Sequence, residues 1–174
     1  DRRQIIRADA DTRHASVVGV PPLLPSFAGI QFMDEIAHLS RVFDPPRPFL
    51  FVIGGSKFET KLPLIRKFLP LADKVFVGGA MANDLFHERG YEVGDSRTSE
   101  SVDRTVLREL LKSERLLLPL DARVSLGTES AGVRTPDALA KSERMLDAGP
   151  STLELLREEV KKAAKAVTLL PRDG

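Results

Sequence analysis

The sequence predicts an α/β fold with a mostly parallel sheet, and three observations carry that prediction. Two short, continuously apolar runs, residues 49–53 and 75–77, suit strands buried on both faces. Each run is stopped by a glycine pair, Gly54-Gly55 and Gly78-Gly79. Each pair is followed by a segment with apolar residues at helical spacing. Two consecutive strand–glycine–helix units require a right-handed parallel crossover.

Taken in order, residues 1–31 begin charged and then carry Pro21, Pro22 and Pro25 around short apolar groups, as a connecting segment does. From residue 32 the pattern turns helical. Phe32, Ile36, Leu39 and Phe43 share one side and Pro45, Pro46 and Pro48 end it, so residues 32–47 read as an interdomain helix and linker. Residues 48–174 read as the domain proper. After its first strand a helix is expected with Thr60 as N-cap, Pro63 in the first turn and Leu62, Ile65 and Leu69 on its apolar side. The second unit leads into a helix over 81–89, closed by Gly90. A helix over 102–111 and short strands at 116–118 and 122–124 follow, the strands separated by Pro119 and Asp121. Residues 127–143 are irregular by composition. Ser151 and Glu154 stand at capping-box spacing before a helix whose Leu153, Leu156 and Val160 share one side, and 166–170 returns to a buried strand. The sum is a Rossmann-like three-layer domain preceded by an interdomain helix.

Composition narrows the function classes. At 174 residues, 42% apolar and 29% charged, the chain has the make-up of a globular protein of one domain with an appendage. A net charge of +1, dispersed Lys and Arg, one Tyr and no Trp point away from nucleic acid. No apolar run approaches a membrane span, and residues 1–13 lack the apolar stretch of a signal peptide. Without Cys there is no disulfide framework, thiolate nucleophile or cysteine metal site, which fits a cytoplasmic location. The chain starts without Met, which reads as processing, trimming or a piece of something longer. No His pair or carboxylate cluster has metal-ligand spacing, and Ser56 and Ser151 have no base partner. His38 and His87 fall on helix faces as exposed residues, and the run of Glu154, Glu158, Glu159, Lys161 and Lys162 reads as a solvated face.

In open parallel sheets ligands bind beyond the carboxyl ends of the strands, where loops lead into helix N-termini. Gly54-Gly55-Ser56-Lys57 and Gly78-Gly79 both fall there. Glycines let a ligand approach the backbone, helix N-termini attract phosphate, and Lys57 and Lys61 add two mobile cations. The spacing is neither a Walker loop nor a Gly-x-Gly-x-x-Gly fingerprint. On these residues alone a phosphate site and a plain tight turn with solvated lysines stand as equal alternatives.

The wording of three blocks is more specific. Ile53-Gly54-Gly55-Ser56-Lys57-Phe58-Glu59-Thr60-Lys61, then Ala72-Asp73-Lys74-Val75-Phe76-Val77-Gly78-Gly79-Ala80-Met81-Ala82, then Gly90-Tyr91-Glu92-Val93-Gly94 closely resemble phosphoglycerate kinase, in family order and spacing. His14-Ala15-Ser16-Val17-Val18-Gly19, Leu24-Pro25-Ser26-Phe27-Ala28-Gly29, Leu118-Pro119-Leu120-Asp121 and the segment from Leu146 to Thr152 agree, so the resemblance runs from about His14 to Val167. It implies a cytoplasmic, glycolytic kinase, monomeric as a full-length protein, that moves a phosphoryl group between 1,3-bisphosphoglycerate and ADP with Mg2+, giving 3-phosphoglycerate and ATP. It implies roles for Lys57 and Lys61 at the nucleotide phosphates, with Lys57 catalytic at the transferring group. Gly55 falls in the same nucleotide-binding turn, Gly78 and Gly79 match the glycines beside the adenine, and Leu146 matches the pocket wall.

The pattern departs from the family at both ends. Where the family reads His-Arg-x-His, this chain reads Asp11-Thr12-Arg13-His14, so Arg13 stands one position late and would grip the acid substrate only with a shifted backbone. Where the family continues into Trp-Asn-Gly-Pro, this chain reads Leu169-Leu170-Pro171-Arg172-Asp173-Gly174. The expectation is therefore a partial, nucleotide-side chain, inactive when isolated. The alternative is a noncatalytic nucleotide-binding or decayed kinase-like module, and a third reading is a structural fragment that binds nothing.

Overall fold

The structure, a computed structural model, describes residues 19–25, 27–34, 44–99 and 102–169. The chain divides into two compact units, 1–42 and 43–174. In the first, a 3-10 turn at Pro21–Leu23 is opened by the proline pair and closed by a hydrogen bond from Leu23 N–H to the Val20 carbonyl. Residues 30–34 are helical; residues 35–43, with His38, lie outside the described residues.

The second unit runs β1 (Phe49–Gly54), α1 (Phe58–Phe68), β2 (Lys74–Gly78), α2 (Ala80–Glu88), α3 (Arg104–Leu111), β3 (Leu116–Leu117), β4 (Ala122–Leu126), β5 (Glu129–Arg134), β6 (Glu143–Ala148), α4 (Pro150–Lys162) and β7 (Lys165–Leu169). Strands β3, β2, β1 and β7 lie side by side in that order, all parallel, with Phe51 opposite Val75 and Val167 and with Gly54 opposite Gly78. The chain leaves β1 toward β2 and comes back on the other side of β1 as β7. Right-handed crossovers in opposite directions put α1 on one face of the sheet and α4 on the other, which is the Rossmann-like α/β layering expected from the sequence. The order reverses between β1 and β7, and that is where an open sheet leaves a crevice.

The apolar runs form strands because both of their faces are covered. Phe49 and Phe51, two apart on β1, share a face and meet Phe68 of α1. The Phe51 and Phe68 rings stack with centroids 4.4 Å apart, and Phe49 meets Phe68 edge-on at 6.3 Å. Phe58 and Ile65 of α1, Val75 and Val77 of β2, and Met81 and Leu85 of α2 complete a buried core around this cluster.

A second sheet is antiparallel, with β4 in the centre between β5 and β6. The sequence reading of 127–143 as irregular is corrected here. Gly127, at φ +60°, turns β4 into β5, and β5 is strand although its residues are mostly exposed and carry no apolar alternation. Its pairing comes from β4, whose Ala122 and Val124 are buried, rather than from its own side chains.

Local signals also yield to neighbours at helix ends. Lys57, not Thr60, occupies the N-cap position of α1; the Thr60 hydroxyl donates back to the Lys57 carbonyl, and Pro63 falls inside the helix rather than in its first turn. The Ser151/Glu154 capping box does not form. Gly149 is the N-cap of α4 and Pro150 its first residue, while the Ser151 N–H donates to Asp121 and Glu154 pairs with Arg157. A buried carboxylate supplied by the β3–β4 connection takes the role the local serine was expected to fill. At α3 the cap is local: the Asp103 side chain, at the N-cap, accepts from the Thr105 N–H at 2.9 Å.

Candidate functional site

The carboxyl ends of β1 and β2 open into a cavity of about 620 Å3, within the range of a small-molecule site. Gly54, Gly55 and Ser56 from the first turn and Gly78, Gly79 and Ala80 from the second line it. Val52 and Phe76, opposite one another in the sheet, contribute apolar surface, as do Leu153 and Leu156 of α4. The two turns are tied together by the Met81 N–H, which donates to the Gly55 carbonyl at 3.1 Å. Gly79 has φ +63° and ψ −155°, a region open only to glycine, and a Cβ there would meet the Gly55 backbone at 3.4 Å.

Polar locks hold the surrounding elements. Asp121 is buried, and its carboxylate accepts from the Ser151 N–H at 2.9 Å and the Thr152 N–H at 2.8 Å, capping α4. Burial pushes this carboxyl up, but the hydrogen bonds from Ser151 and Thr152 outweigh it and hold the group below the ordinary carboxylate value. Gly149 is required by that approach, since a Cβ would lie 2.4 Å from Asp121 Cγ. Asp84 of α2 shows the opposite balance: burial raises it above the ordinary value, against the opposing hydrogen bonds from Ser99. Its oxygens accept from the Ser99 N–H at 2.8 Å and the Ser99 hydroxyl at 2.9 Å, and that hydroxyl accepts from the Phe58 N–H at 3.3 Å. One of the free N–H groups at the head of α1 is thereby occupied.

The structure brings Gly55, Gly78, Gly79 and Leu146 to the cavity. Lys57 and Lys61 stand on the N-cap and first turn of α1, Lys57 exposed and Lys61 half-buried, and neither lines the cavity wall. Arg13 lies outside the described residues. His87 is exposed, as expected of a helix-surface histidine. The sequence reading missed Asn83, Phe86, Arg97, Arg144 and Met145, all of which line the cavity. Arg97 and Arg144 sit in a loop and on a strand of the antiparallel sheet, so no periodicity could have flagged them. Among the described residues no group of three or more His, Asp or Glu side chains is placed to hold a metal ion, and no helix is long and apolar enough to cross a membrane.

Fold and site together define a doubly wound α/β protein with its ligand crevice at the strand carboxyl ends. The family model described as phosphoglycerate kinase matches residues 8–171. The chain belongs to the phosphoglycerate kinase family. Relatives named phosphoglycerate kinase include one from Thermosipho africanus, 32% identical over 91% of this chain and 42% of its own length. Another, from Staphylococcus carnosus, is 34% identical over 91% of this chain and 41% of its own length. The chain thus spans about two fifths of the length of the curated relatives it matches. The solved structure of phosphoglycerate kinase from Coxiella burnetii matches 81% of this chain and 38% of its own with a TM-score of 0.72 at 29% identity. That of Pyrococcus horikoshii phosphoglycerate kinase, covering 88% of this chain and 41% of its own at 24% identity and a TM-score of 0.72, shares the fold.

Proposed function

We propose that this chain is the nucleotide side of a phosphoglycerate kinase, which transfers a phosphoryl group reversibly between 1,3-bisphosphoglycerate and ADP, giving 3-phosphoglycerate and ATP. The observation that carries the reading is the glycine-floored cavity at the carboxyl ends of β1 and β2, with Lys57 and Lys61 at the head of the adjoining helix. Phosphoryl transfer depends on positioning and charge neutralisation more than on covalent help from the protein. In this reading the phosphates meet the Gly55 turn and the two ammonium groups, with Lys57 neutralising charge on the transferring group. Among the described residues neither lysine has a side-chain ion pair or hydrogen bond, so both are available to an anion. Gly78 and Gly79 allow the flat base to lie against backbone, and Leu146 supplies apolar wall. Mg2+ enters with the nucleotide as part of the substrate and screens its phosphates there.

A second reading, a noncatalytic nucleotide-binding module, is favoured by the displacement of Arg13 from the family position. Calorimetric titration with MgADP and an assay of turnover with 3-phosphoglycerate and MgATP separate the readings. We expect MgADP to bind the chain, Lys61→Ala to weaken it at least about tenfold through loss of a charge-assisted contact, and the chain alone to show no turnover. Turnover by the isolated chain would refute the idea that it is one half of a site. Absence of MgADP binding would leave only a structural role.

A further inference from the structure

We infer that Ser99, itself held by Asp84, is a positioning residue for Lys57: it fixes the peptide group that follows Lys57 and so sets where the ammonium group starts its reach. This rests on the reading above that the nucleotide phosphates meet Lys57. A lysine carries its charge on a flexible stem, so its aim depends on the backbone that bears it. Here that backbone is clamped on both sides by α2. Ahead of Lys57, the Gly55 carbonyl accepts from the Met81 N–H at 3.1 Å. Behind it, the Phe58 N–H donates to the Ser99 hydroxyl at 3.3 Å, and that hydroxyl donates to Asp84 of α2 at 2.9 Å. The Lys57 carbonyl belongs to the same peptide group as the Phe58 N–H, and it accepts from the Thr60 hydroxyl at 3.0 Å. Both polar groups of that peptide are therefore occupied, with Lys57 held at φ −120° and ψ 100°.

The choice of residues argues for more than a structural cap. Ser, Thr, Asp and Asn at the N-cap satisfy a helix from within, and a cation there opposes the helix dipole. This chain has Lys57 at the N-cap of α1, with no side-chain cap from it, and takes the cap from Ser99 in a distant loop. The N-cap position is thereby left to a cation that helix stability does not ask for. Ser99 can do this because a hydroxyl donates to a carboxylate and accepts from an N–H at once. Its own place is built. Asp84, buried, also accepts from the Ser99 N–H at 2.8 Å, and its buried neighbour Asn83 donates to the Arg97 carbonyl at 2.8 Å. On the other side the Asp95 N–H donates to the Glu143 carbonyl at 3.0 Å and the Met145 N–H to the Ser96 hydroxyl at 2.9 Å. Gly94, at φ +55°, permits that approach, since a Cβ there would lie 2.2 Å from the Glu143 carbonyl oxygen. The segment that carries Ser99 is thus strapped to α2 and to β6.

The test is a calorimetric titration of MgADP into the 174-residue chain, its Ser99→Ala, Asp84→Ala and Lys57→Ala variants, and the Ser99→Ala/Lys57→Ala double variant, each checked for folding by circular dichroism. Ser99→Ala should weaken MgADP about fivefold, the worth of one neutral hydrogen bond, and Asp84→Ala by a similar factor. In the Lys57→Ala background the Ser99→Ala loss should vanish, because a residue that acts through Lys57 has nothing left to position. Should Asp84→Ala unfold the chain, the cycle between Ser99 and Lys57 decides alone. An unchanged affinity in Ser99→Ala would overturn the inference. So would the same fivefold loss with Lys57 already removed, which would assign Ser99 to general support of α1. Failure of the unaltered chain to bind MgADP would instead remove the nucleotide reading on which the inference rests.

Discussion

The two sheets of this domain line one cavity and are held together by different physics. The parallel sheet is fastened by apolar packing: Phe49, Phe51 and Ile53 of β1 are at most 1% exposed and its aromatic cluster reaches Phe68 of α1. The antiparallel sheet and α4 rely on polar attachment. Thr152 is the buried residue of α4, while Leu153 and Val160 are about half exposed, and the helix is anchored by Asp121. The parallel half thus provides a rigid glycine floor, and the other half provides a wall whose place depends on a few hydrogen bonds.

The largest expected effect that would break this contrast lies in the parallel half. Phe51→Ala should destabilise the domain by about 3–5 kcal/mol, read from the midpoint of urea unfolding, because it removes a stacked ring with no exposed route for the neighbours to relax. A loss below about 1 kcal/mol would mean that the cluster is not the anchor it appears in the packing. Next comes the polar lock. Asp121→Asn should cost about 2–3 kcal/mol by weakening charge-assisted caps on α4.

The same residue sharpens the comparison through pH. Because the folded carboxyl of Asp121 lies below its ordinary value near 3.8, the unfolded chain binds more protons in the window between the two. Its stabilisation is complete above the ordinary value and is lost as pH falls through the lower folded value, so the acid limb of stability against pH should be flatter in Asp121→Asn. Asp84 acts in the opposite sense, its raised value making the fold lose stability as pH climbs from the ordinary carboxylate value through the folded one. The smallest effect belongs to the outer face of α4. Arg157→Ala, which removes an exposed pair with Glu154, should change stability by no more than about 0.5 kcal/mol in the same urea titration.

Strands β1 and β2 were legible because burial on both faces writes itself into sequence as an unbroken apolar run, and the glycine pairs mark their ends; β7, expected as a buried strand, is a strand whose Ala166 and Thr168 are exposed. β5 was not legible, since an edge strand with mostly exposed residues needs only a partner and carries no pattern of its own. Of the candidate site, the glycines and Leu146 were legible from the resemblance and are found at the cavity, whereas the arginine wall was not. Arg97 and Arg144 become neighbours only when the Asp95 and Met145 amides join the two segments.

Sequence alone settled the α/β class, the two strand–glycine–helix units and the family, because periodicity, glycine placement and block order are properties of neighbouring residues. The tertiary structure alone decided that Asp121 rather than Ser151 caps α4, and that the antiparallel sheet brings two guanidinium groups to a glycine-floored cavity. Those outcomes depend on close approach between segments about 30 to 50 residues apart, as in the Asp121–Ser151 and Ser96–Met145 hydrogen bonds, and no local pattern encodes a contact of that range.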